Sequence, residues 1–147
     1  MVKDVIISVT GNQKIDNDTA VIELHTEGKL CRKNGVYYII YKESEVTGME
    51  GTTTMLKMED KIVTIVRKGK VNSQMVFEEG KKDVSYYDTS FGAFSMGIFT
   101  TKSSVDINDD GGIITLKYKV EINSQTAGNN FFDIKVRKAG LSNVQYS

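Results

Sequence analysis

The chain has 147 residues, 39% apolar and 26% charged, with 19 basic residues against 19 acidic ones, which describes one ordinary domain with a single core. The balance holds within each half, 11 basic to 10 acidic over residues 1–73 and 8 to 9 over residues 74–147, so no electrostatic nucleic-acid footprint is visible in the sequence. One histidine and one cysteine, with no tryptophan or proline, exclude an internal disulfide and the usual Cys/His zinc sites, and leave little for nucleophilic catalysis.

The chain start, Met1 to Ser8, carries an acid within four residues and lacks the apolar stretch of a signal or transit peptide. No apolar run approaches the ~20 residues of a membrane-spanning helix, so a cytoplasmic setting is expected. Turn signals then recur at short intervals: Asp16-Asn17-Asp18, Lys33-Asn34-Gly35, Gly48-Met49-Glu50-Gly51, Glu59-Asp60-Lys61, Lys68-Gly69-Lys70, Glu79-Gly80-Lys81, Asn108 to Gly112, and Gly128-Asn129-Asn130. Between them the pattern alternates with period two. Ala20, Ile22 and Leu24 oppose Glu23, His25 and Glu27. Ile114, Leu116, Tyr118, Val120 and Ile122 oppose Thr115, Lys117, Lys119 and Glu121, and Phe132, Ile134 and Val136 oppose Asp133, Lys135 and Arg137. About ten strands and little helix follow. A sheet of that many consecutive antiparallel strands resolves its edges by closing, so the expected fold is all-β, an antiparallel up-and-down barrel of about 8–10 strands in one domain over 1–147; a two-sheet sandwich is the alternative.

Two strands break the clean pattern. In Val36 to Glu45 the residues Tyr37, Ile39, Tyr41 and Glu43 share a face, and in Ile62 to Arg67 so do Val63, Ile65 and Arg67. If both faces point inward, Glu43 and Arg67 meet inside beside Tyr41, because a buried charge needs a partner. If they do not, both charges sit at strand ends with their heads in water. Met55, Leu56, Met58, Met75, Phe77, Phe94, Met96, Ile98 and Phe99 crowd the middle strands and suit either an adaptable apolar cavity or a packed core. The candidate ligand-binding set is therefore Tyr41, Glu43 and Arg67 for a polar end, with Met75, Phe77 and Phe94 along the walls.

The remaining constellations are weak. His25 lies among carboxylates on a wet face, and Ser90 lacks a glycine-flanked nucleophile elbow. Asp109-Asp110 reads as turn chemistry. No catalytic residue, metal site or cofactor is assigned.

Several segments resemble the YwiB-like family of small bacterial proteins of unknown function: Thr26-Glu27-Gly28, Tyr37 to Ser44, Thr47 to Thr54, Arg67-Lys68-Gly69, Ser73 to Phe77, and Thr89 to Gly92 with Thr100-Thr101. Tyr41 to Thr54 with Arg67-Lys68-Gly69 is the specific part. Where family members tend to have proline in the Thr89 to Gly92 turn, this chain has Ser90. The resemblance implies a lipocalin-like (calycin-type) barrel and no activity. The expectation is a non-enzymatic binder of a small apolar or amphipathic, carboxylate-bearing ligand, monomeric or homodimeric, without DNA or membrane partners. The rival is a solid-cored module that contacts protein or RNA through Thr47 to Thr54.

Overall fold

In the computed structural model, which describes residues 1–15, 18–89, 92–123 and 125–139, the chain is a meander of ten antiparallel strands. They are β1 (Val2–Ile15), β2 (Asp18–Lys33), β3 (Val36–Lys42), β4 (Thr52–Glu59), β5 (Ile62–Gly69), β6 (Ser73–Phe77), β7 (Lys82–Thr89), β8 (Gly92–Asn108), β9 (Gly111–Ile122) and β10 (Gln125–Lys138). The described part contains no α-helix, only a 3-10 turn over Glu45–Thr47. The hydrogen-bonded order β6-β5-β4-β3-β2-β1-β10-β9-β8-β7 joins the first strand to the last through ten residue pairs, from Val5↔Lys138 to Lys14↔Asn129. The expected barrel is present, closed everywhere except between β6 and β7. There a single bridge, Asn72↔Asp88, replaces a ladder, and the Asp83 carboxylate accepts the Val76 N–H at 3.0 Å.

The hairpins fall where the turn residues put them. Asn34 (φ 54°) and Gly35 (φ 79°) take the left-handed pair that a two-residue hairpin requires, and Asp60 (φ 56°) turns β4 into β5. Gly128-Asn129-Asn130 is a correction: these residues lie within β10, and β9 turns into β10 earlier, at Asn123 (φ 51°). Gly128 instead marks a register shift opposite Val120, so its glycine serves a bulge. The turn expected at Asp16-Asn17 and the Ser90-Phe91 step lie outside the described residues.

Register sorts the interior into levels. Leu30, Ile39, Leu56, Ile65 and Met75 are neighbours in successive strands, and Tyr37, Met58, Val63 and Phe77 form the next level toward one end. With Val5, Ile7, Ile98, Ile114, Leu116 and Ile134, all fully buried, these residues fill half of the barrel as a solid core. Full burial of each such side chain contributes about 1.5–3 kcal/mol. Beyond them a polar cluster plugs this end. Asp109 accepts both the Tyr37 hydroxyl (2.7 Å) and Arg32 (2.9 Å), and Lys138 pairs with Asp110 at 2.7 Å.

Candidate functional site

The level above the aliphatic core is different in kind. Across β2 to β6 the paired residues read Gly28, Tyr41, Thr54, Arg67 and Ser73, and the alternation that buries Ile39 and Ile65 turns Tyr41 and Arg67 inward as well. Gly28 has no room for a side chain, since a Cβ there would lie 2.4 Å from Ile7 Cδ1 and 2.5 Å from the Ile40 carbonyl oxygen. Glu43 follows two residues after Tyr41, and its backbone N–H continues the ladder to the Thr52 carbonyl at 2.9 Å.

Glu43 and Arg67 do meet inside. Both are 7% exposed, and Arg67 Nε stands 3.8 Å from Glu43 Oε2. The reading that leaves their heads in water is thereby overturned: the level of Arg67 lies inside the rim, under the connection that follows β3. Their hydrogen bonding is unequal. Glu43 accepts from Thr54 Oγ1 at 2.5 Å on one oxygen and from Thr47 Oγ1 at 3.1 Å on the other. Arg67 Nε is buried without a hydrogen-bond partner among the described residues, and its approach to Glu43 is an ion pair at 3.8 Å rather than a hydrogen bond. Burial pushes the Tyr41 phenol well above its ordinary range, and the Glu43 charge adds to the rise.

These groups face a half-open cavity of about 250 Å³ in the unplugged half of the barrel. Tyr41, Glu43, Arg67 and Met75 line it, joined by Met49, Met96, Tyr118, Asn130 and Phe132. Ile22 and Ile122, 42% and 36% exposed, form an apolar rim. Two expected wall residues lie elsewhere. Phe77 is 1% exposed and packs edge-on against Tyr118, ring centroids 4.9 Å apart, one level deeper than Met75. Phe94 is half-buried and does not line the cavity. Leu56, Met58 and Ile98 belong to the core, Met55 is half-buried and Phe99 is exposed, so of the crowded middle residues only Met75 and Met96 reach the cavity.

The lid was not anticipated. Ser44 caps the 3-10 turn by accepting the Val46 N–H at 3.2 Å, and Gly48 (φ 75°) ends it, which brings Thr47 and Met49 over the mouth. Asn130, whose Oδ1 is buried without a partner among the described residues, was hidden in what read as a turn. His25 is exposed with Nδ1 3.0 Å from Ser8 Oγ. Among the described residues no group of three or more His, Cys, Asp or Glu is placed to hold a metal ion.

The sequence profile of DUF1934, a domain of unknown function, matches residues 7–134. The chain belongs to the DUF1934 family. It is similar to the uncharacterized beta-barrel protein YwiB of Bacillus subtilis (strain 168), 25% identical over 111 residues that cover 75% of this chain and 76% of that protein. The crystal structure of the B. subtilis YwiB protein superimposes with a TM-score of 0.85 at 21% identity, over 94% of this chain and 93% of that one, which shows a shared fold. The YwiB-like resemblance and the barrel are thus both confirmed. No helix of the described part is long and apolar enough to cross a membrane.

Proposed function

We propose that this DUF1934 domain is a non-enzymatic, cytoplasmic binder of one small amphipathic molecule, held in the open half of a lipocalin-like barrel. The polar end sits on Arg67, beside Tyr41 and Glu43, and the apolar body lies against Met75, Met96 and Phe132. The observation that carries this reading is the Arg67 guanidinium, a buried cation in the wall of the cavity with Glu43 3.8 Å away. The planar donor fork of a guanidinium suits the oxygens of a ligand's polar end.

Size narrows the candidates. An apolar cavity of ~150 Å³ holds benzene, so about 250 Å³ suits the enclosed part of a ligand of roughly ten non-hydrogen atoms. A catalytic role for Glu43 is disfavoured by its hydrogen bonds, since both of its oxygens already accept threonine hydroxyls. Within the Thr47 to Thr54 segment Thr47 and Met49 turn into the cavity wall, which favours a part in the cavity over a docking surface.

Methionine methyl NMR tests the reading directly. Met49, Met75 and Met96 line the cavity, whereas Met55 does not and Met58 is in the core. Compounds from a fragment library that bind as proposed shift the first three resonances and lose affinity in Arg67→Met. Binders that move only Met55, or that bind Arg67→Met equally well, overturn it.

A further inference from the structure

We infer that the ligand's polar end is uncharged, an amide-like group that meets Arg67 and Asn130 in the cavity wall, and not a carboxylate. This deepens the binding reading above and rests on it.

The argument begins with what the site already contains. Arg67 brings one positive charge, and Glu43 cancels it from 3.8 Å away with side chains only 8% and 1% exposed. Glu43 is not held there by Arg67. Two threonine hydroxyls donate to it, one to each oxygen. The charge of the pair is therefore complete before any ligand arrives. A ligand carboxylate on Arg67 would place a second anion beside Glu43 where little water screens the repulsion.

What the site offers a ligand is hydrogen bonding. Arg67 and Asn130 both line the cavity, one a guanidinium that only donates and the other an amide that donates and accepts. A neutral head with a carbonyl and an N–H suits both without adding charge. The rest of the wall, from Val9 and Ile22 to Met75, Met96 and Val120, is apolar and suits a small hydrophobic body.

Benzamide and benzoate have the same shape and number of non-hydrogen atoms, differ in charge, and fit the volume. Affinities of the full chain for each are measured at neutral pH by titration of the Met75 and Met96 methyl resonances. Wild type binds benzamide about tenfold or more tighter than benzoate, as like-charge repulsion in a buried site requires. In Glu43→Gln, where Arg67 loses its counter-charge, the order reverses. Benzoate binding as well as benzamide in wild type, or a preference unchanged in Glu43→Gln, overturns the uncharged head while leaving the interior site standing. If neither compound moves the cavity methionines, the binding reading falls with it. The wild-type comparison decides the point even if Glu43→Gln folds poorly.

Discussion

Thr54 Oγ1 donates to Glu43 Oε2 at 2.5 Å, closer than any contact Arg67 makes with the same oxygen. The threonine on β4, rather than the arginine on β5, is what anchors the buried carboxylate. Thr54→Val keeps the shape and removes the donor. It lowers unfolding stability by about 1–3 kcal/mol in urea titrations. A loss below a few tenths would show that the carboxylate is held by other groups.

The same inequality predicts an asymmetric pair of variants. Arg67→Met leaves Glu43 with its two threonine donors and costs about 1–2 kcal/mol. Glu43→Leu strands the guanidinium and costs about 3–5 kcal/mol. Combining them removes both charges and returns stability to within about 1 kcal/mol of wild type. Equal single losses in chemical denaturation contradict this ordering.

Tyr41 makes stability depend on alkaline pH. Its folded pKa lies above the ordinary 10.0, so the unfolded chain releases the phenolic proton first. The contribution is whole below pH 10 and declines as pH rises above it, by about 1.4 kcal/mol per pH unit. Urea midpoints of wild type measured from pH 9 to pH 11.5 fall more steeply than those of Tyr41→Phe. Parallel curves refute the assignment.

At the plugged end, Asp109 gathers Tyr37 and Arg32 from β3 and β2. Asp109→Ala lowers stability by about 1–2 kcal/mol, because the ion pair is partly exposed and the tyrosine bond is half-buried. It leaves fragment binding at Met75 and Met96 unchanged, since the solid core separates the two ends. Denaturation and methyl titration of one variant check both halves of this statement.

Much of this arrangement was legible from alternation. The period-two run through Tyr37, Ile39, Tyr41 and Glu43, set beside that through Val63, Ile65 and Arg67, puts a carboxylate and a guanidinium on faces that otherwise bury aliphatics. Alternation states which face a residue takes, but not its depth along the barrel axis. Met75 and Phe77 both point inward, yet one register step separates cavity wall from packed floor. Depth depends on cross-strand register, which the individual strands do not declare. Thr54 and Asn130 escaped notice for another reason. Threonine is at home on either face of a strand, and Gly128-Asn129-Asn130 has the composition of a turn even where a bulge uses it.

The junction between β6 and β7 has a mechanical consequence. Around the ring, the strands furthest apart in sequence, β1 and β10, share one of the longer ladders, while the strands joined by only Glu78 to Lys81 share a single bridge. The weakest clasp is thus spanned by a tether of only four residues, and a short tether makes the entropy of reclosing small. The ring can part sideways at this clasp and rejoin without its two chain ends separating. The weakest seam of the ring and the joint that closes it are thereby assigned to different strands.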